Sequence, residues 1–286
     1  MMSIRVTQPG KTSLVLDNPV MNAAGTLGFG DSYRDLLDMD QLGAFVTNPI
    51  TYSPRAPAHG TRVVPMDAGV LVHTGLPNPG INKVVSSYRG TWERMSIPVI
   101  AHVIVNNAQE VNRCVTLLEN EEAIAAIELG LNDEMTAAEA QWHVQAARGR
   151  TEKPLLIRLP FGATADLAQA VIDAGGDSLV MCAAPRGTAR DRTGRLVAGR
   201  VYSPSLKPLI LRMVGQLARK VRVPVIAAGG IHSMQDARDY IEAGAVAVQV
   251  DSLTWVAPKV LEDIARDLGG LTATQAIDMI DDDSKP

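Results

Sequence analysis

Cysteine, aromatic side chains and net charge are all in short supply. The 286 residues include two cysteines, Cys114 and Cys182, whose placement matches neither a metal-ligand nor a redox-pair spacing. No metal is expected, and both thiols are expected to stay reduced, as in a cytoplasmic protein. Aromatic residues make up 4% of the chain, which supplies few stacking platforms for nucleic acid. A formal net charge of −4 leaves no overall basic footprint either. No apolar run approaches the ~20 residues a membrane helix needs. The opening MMSIRVTQPG lacks the apolar core of a secretory signal. Nucleic-acid and membrane partners are therefore not expected, and the cytoplasm is the expected compartment.

What is present is an ordinary soluble composition, with 46% hydrophobic and 20% charged residues. A chain of this length buries most of its unfolded surface without a disulfide or metal staple. Short apolar runs alternate with longer amphipathic stretches. The runs predict strands over Val20–Ala24, Ala44–Thr47, Pro98–Val105, Ala125–Gly130, Pro154–Pro160, Ser178–Ala183, Pro224–Ala228 and Ala247–Val250. Most are continuous rather than alternating, as parallel strands covered on both faces are. Helical spacing predicts helices over Ala108–Glu119, Thr164–Ala174, Ser205–Val221 and Ser233–Ala243. Ser233 followed by Asp236 has the form of an N-cap, and Gly175–Gly176 and Gly244 have that of helix stops.

Eight strands with helices between the later pairs predict a closed (β/α)₈ barrel, which uses this length as one domain. Residues 1–280 are read as that domain, and 281–286 as a disordered tail. The stretch Gln8–Pro19 reads as an N-terminal β-hairpin that plugs the bottom. In such barrels the active site lies at the C-terminal strand ends. Those ends deliver Asn22, Ala24 and Gly25, then Thr47 and Asn48, then His73 and Asn78. They continue with His102, Glu128, Asp133, Arg158, Cys182, Arg186, the pair Gly229–Gly230, and Asp251–Ser252. Glycines after strand seven let backbone N–H groups approach an anion, and they also serve as a tight turn that binds nothing. Cys182 reads as a small core residue. The arginine-rich stretch Arg186–Arg200 reads either as a solvated loop or as a lid over an anionic ligand.

Several motifs in order carry a resemblance. NPVMNAAGTLGFG (18–30), LGAFVT (42–47), TGLPNPG (74–80), SLKPLILRMV (205–214), PVIAAGGI (224–231) and AGAVAVQV (243–250) resemble the class 1 dihydroorotate dehydrogenases. The resemblance covers nearly the whole chain. It implies FMN at the barrel mouth, hydride transfer to it from a CH–CH bond, proton abstraction by a loop residue, and a homodimer. Cofactor contacts then fall to Ala24, Gly25, Asn48, Arg158, Gly229, Gly230 and Ser252. Catalysis falls to Asp133, as base, and Arg158; substrate binding falls to Asn78, His73 and Arg186.

The same residues depart from the family pattern. Asp133 stands where a Cys or Ser base belongs. Asn48 and Arg158 each replace a lysine. Gly130, Val72 and Ala183 each replace a substrate-binding asparagine. Asp251–Ser252 replaces Gly-Thr beside the expected phosphate. A site that has lost its amides loses discrimination for orotate's ring. The expected function is an FMN-dependent oxidoreductase acting on a small, anionic substrate other than dihydroorotate. Two alternatives stand beside it: a flavin-free lyase or isomerase, and a non-catalytic paralogue that binds a metabolite or partner.

Overall fold

The computed structural model describes residues 3–10, 13–33 and 35–282, the last twelve of these by backbone alone. The chain opens with two short strands, β1 (Ile4–Arg5) and β2 (Val15–Leu16), followed by β3 (Val20–Asn22) and β4 (Phe45–Val46). Then come β5 (Val63–Met66), β6 (Gly69–Val72), α1 (Ile81–Trp92), β7 (Val99–Ile104), α2 (Ala108–Glu119), β8 (Ala126–Gly130) and α3 (Ala137–Arg148). The middle of the chain forms β9 (Leu155–Leu159), α4 (Ala165–Asp173), β10 (Ser178–Met181), β11 (Arg186–Arg190), β12 (Leu196–Tyr202) and α5 (Lys207–Ala218). The end forms β13 (Val225–Ala228), α6 (Met234–Glu242), β14 (Ala247–Val250), α7 (Leu253–Val256) and α8 (Pro258–Asp282).

Eight parallel strands form one sheet in the order β3-β14-β13-β10-β9-β8-β7-β4, so neighbours in sequence are neighbours in space. A single parallel bridge, Met21 to Ala44, joins the two end strands and closes the barrel. The buried Asn22 side chain completes this seam as a second strand would. Its Nδ2 donates to Val46 O at 2.8 Å and its Oδ1 accepts from Val46 N at 2.9 Å. The fold is the expected (β/α)₈ barrel.

Strand residues alternate between the two faces. On β13, Val225 and Ala227 join the outer core against the helices, whereas Ile226 and Ala228 join the inner core. The inner core also holds Met21, Ala44, Ile100, Ala126, Leu156, Val180 and Ala247. Val6, Leu14 and Leu16 from the β1–β2 hairpin plug it from below. The hairpin therefore starts earlier than the sequence suggested, at Ile4.

The helix signals act as they should. The side chains of Asn107, Thr164 and Ser233 cap α2, α4 and α6 by accepting N–H bonds from the first turn. The stretch from Ser205 splits, with a 3₁₀ turn at Pro204–Leu206 before α5. Several elements went unforeseen, among them helix α3 and the β11–β12 pair. Helix α3 carries a full capping box between Thr136 and Glu139. The arginine-rich stretch is no loop: β11 and β12 pair antiparallel, and β12 pairs with β6 in turn. This four-stranded sheet, β11-β12-β6-β5, rises over the barrel mouth. Asp281 and Asp282 close α8, and residues 283–286 of the expected tail lie outside the described residues.

Candidate active site at the barrel mouth

The inner face of the barrel turns polar one layer above its apolar floor. Two residues beyond Ile100, Ala126, Leu156 and Ala247 come His102, Glu128, Arg158 and Gln249, on the same face by the period of two. They form one network. His102 Nδ1 lies 2.8 Å from Glu128 Oε1, and Gln249 Nε2 donates to Glu128 Oε2 at 2.6 Å. Arg158 Nη1 donates to Gln249 Oε1 at 2.5 Å and lies 3.4 Å from Glu128 Oε1. Glu128 is fully buried. Burial alone would raise its carboxyl, but the Arg158 charge, together with His102 and Gln249, outweighs that and holds it down at about 2. The carboxylate is thus a fixed anion that orients an imidazole and a guanidinium.

Above this layer opens a cavity of about 340 Å³, within the range of small-molecule sites. Its wall includes Arg55, Arg158, Arg186 and Arg200, and also His102, Tyr202 and Asp251. Glu128 pairs with Arg158, and Asp133 pairs with both Arg186 (2.9 Å) and Arg200 (2.6 Å). Arg55 has no carboxylate partner among the described residues. The lining positions Val72, Gly130 and Ala183 carry no amide.

Of the residues singled out from sequence, Ala24, His73, His102, Arg158, Arg186 and Asp251 line this cavity. Asp133 sits at its edge, in an adjoining hollow, clasped by its two arginines. Burial would raise the Asp133 carboxyl, but the bonds from Arg200 and Arg186 prevail and hold it below its usual range. Those bonds make it a weaker base. Asn78 is buried and turned inward: its Oδ1 accepts from Gly80 N at 3.0 Å, and its Nδ2 donates to Thr51 Oγ1 and Leu76 O. Gly25 makes the turn after β3 at φ +86°. Gly230 packs against α5, where a Cβ would come within 2.7 Å of Lys207 N. His102 and Glu128 were placed at the strand ends from sequence without an assigned role, whereas Gln249, Arg55 and Tyr202 were not read from sequence at all. The available signal was a lone polar residue within an apolar strand, as in AIELG and AVQV.

Whether these residues fit FMN divides into two ends. For the flavin ring, Ala23 and Ala24 offer a flat floor and Arg158 a buried cation at the cavity. Asn48 Oδ1 is buried without a hydrogen-bond partner among the described residues, as an acceptor awaiting a ligand would be. For the phosphate, the loops after strands seven and eight are the usual barrel site. There the Asp251 carboxylate accepts from Ser252 N at 2.5 Å and from Ser252 Oγ at 3.2 Å. The ring end fits; the phosphate end does not.

A closed eight-stranded barrel with a charged cavity at its C-terminal mouth belongs to the class of barrel enzymes that act on small molecules. The dihydroorotate dehydrogenase family model matches residues 11–271. The catalytic subunit of dihydroorotate dehydrogenase B (NAD(+)) from Trichlorobacter lovleyi is 34% identical, covering 93% of each chain. Those of Pelobacter propionicus and Geobacter sulfurreducens are 33% and 31% identical, covering about nine-tenths of each chain. The chain belongs to the dihydroorotate dehydrogenase family, whose members are FMN-binding oxidoreductases acting on CH–CH groups. Among the described residues no helix is long and apolar enough to cross a membrane.

Proposed function

We propose that this chain is a flavin-dependent oxidoreductase acting on a CH–CH bond of a small anionic substrate other than dihydroorotate. FMN is the cofactor that the family implies; Ala24 and Arg158 line the cavity that would take its ring, and Asn48, next to the cavity-lining Pro49, keeps a buried side-chain oxygen without a partner among the described residues. Oxidation of a CH–CH bond needs a two-electron acceptor, which a flavin supplies in this family.

The observation that carries the substrate reading is the pairing of charge with missing amides. Val72, Gly130 and Ala183 line the same cavity as Arg55, Arg186 and Arg200. Guanidinium forks suit a carboxylate or phosphate. A ring imide, by contrast, finds none of those three amides, and the asparagines that do line the cavity, Asn106 and Asn132, stand at other positions. Proton removal is assigned to His102, whose Nε2 faces the room over Gly130 while Nδ1 is held by the Glu128 carboxylate. Asp133 is assigned to hold Arg186 and Arg200 in the wall rather than to act as base. Ser252, Gly25, Gly229 and Gly230 shape the far end of the flavin site, and His73 and Asn78 the loop across the mouth. A homodimer and a cytoplasmic location complete the reading, on the family resemblance.

Anaerobic mixing of flavin-loaded protein with a panel of small carboxylic acids that includes dihydroorotate tests it. The expected result is bleaching of the flavin band by an acid other than dihydroorotate. Bleaching by dihydroorotate faster than by every other compound would overturn the substrate reading.

A further inference from the structure

The ends of β13 and β14 carry Gly229–Gly230 and Asp251–Ser252. Gly229 has φ +104° and Gly230 φ +69°, a backbone shape that turns successive N–H groups toward a common concavity. In this fold that concavity is the usual phosphate cradle. It already faces a carboxyl group, which burial pushes above its usual range. A Cβ on Gly229 would lie 3.7 Å from Asp251 Oδ2. Asp251 Oδ1 takes the Ser252 N–H at 2.5 Å, and the Ser252 hydroxyl lies 3.2 Å from the same oxygen. The hydroxyl is held in turn by His232 Nε2 at 3.1 Å. Asp251 is only 6% exposed, so its carboxyl group rests between the two strand ends and not in solvent. The donors at this strand end, the Ser252 N–H and hydroxyl, are thus already taken by the Asp251 carboxyl group.

We infer that the Asp251 carboxyl group, seated on the donors of this cradle, closes it to phosphate, and that the mouth takes a flavin lacking phosphate, of riboflavin type, in place of FMN. The second half rests on the flavin reading above; the first half does not. Ala24 and Arg158 line the part of the cavity that would take the ring, which riboflavin and FMN share. The discrimination between them therefore falls on position 251.

Fluorescence titrations of riboflavin and of FMN against the full chain and against Asp251→Gly decide the matter. The unaltered protein is expected to bind riboflavin at least as tightly as FMN. Asp251→Gly is expected to tighten FMN by about ten-fold or more and to leave riboflavin within about two-fold. Asp251→Asn, of the same size, guards against a folding defect and should shift the ratio the same way. An unaltered protein that holds FMN about ten-fold more tightly than riboflavin overturns the inference. So does an Asp251→Gly variant whose ratio is unchanged. If neither flavin binds any of the proteins, the flavin reading falls, and inorganic phosphate then decides the cradle. Thermal stabilisation of Asp251→Gly but not of the unaltered chain upholds the closed cradle; the same response from both overturns it.

Discussion

A Cβ at position 130 would stand 2.8 Å from both Cε1 and Nε2 of His102, so the imidazole occupies the room that any side chain at 130 would claim. The histidine and the glycine are a matched pair on adjacent strands, with Ile104 opposite Gly130 and His102 opposite Glu128 in register. Where the family resemblance leads one to expect an amide, this chain has moved an imidazole into place and tied it to a buried carboxylate.

Gly130→Ala should therefore displace His102 and cost about 1–3 kcal/mol of stability through overpacking. Combined with His102→Ala, the same change should cost much less, because the clash is gone. Urea unfolding of the two single variants and the double variant measures the coupling. Additive losses would show that the two positions do not meet.

The Glu128 carboxyl predicts a specific acid sensitivity. Its pKa falls from 4.5 in the unfolded chain to about 2 in the fold, so it stabilises the protein above its ordinary value. That contribution, on the order of 3 kcal/mol, is lost as pH falls from about 4.5 to about 2. Glu128→Gln should be less stable at neutral pH, where it leaves Arg158 without its counter-ion. The gap to the unaltered protein should narrow as pH drops through that window. Unfolding midpoints measured across the acid range check the sign, and a gap that widens toward low pH contradicts it.

His102 and Asp133 make opposite kinetic predictions. Loss of a general base slows turnover by roughly 10²–10⁴-fold, which is expected for His102→Ala in the rate of flavin reduction by substrate. Asp133→Asn frees Arg186 and Arg200 and should act chiefly on the substrate concentration needed for half-maximal rate. A collapse of the maximal rate in Asp133→Asn, with His102→Ala near normal, would return the base to the loop.

Both thiols should be silent. Burial pushes Cys114 and Cys182 each up to about 12, leaving almost no thiolate at neutral pH. A chromogenic disulfide reagent should label neither thiol in the native protein and both after denaturation. Rapid labelling of native Cys182 would place it at an accessible site.

The barrel was legible because its strands are continuous apolar runs punctuated by caps and glycine stops, each a local signal. Ser233 caps where the sequence said it would. The β11–β12 hairpin was not legible: its exposure alternates along Arg186–Arg190, yet its arginines and glycines read as loop, and its partner β6 lies far away in sequence. The polar layer was half legible. Period-two counting places His102, Glu128, Arg158 and Gln249 on one face, but only the barrel's closure shows that one carboxylate gathers the other three. Asn78 shows the opposite failure, since a motif position predicted a ligand contact and the amide instead ties together its own loop.

The visible absorption spectrum of the natively purified chain, recorded again after riboflavin is added, tests the central claim most directly. A flavin band near-stoichiometric with protein, perturbed on binding and diminished in Arg158→Ala, is the predicted result. No bound band under either condition would contradict a flavin site at this mouth.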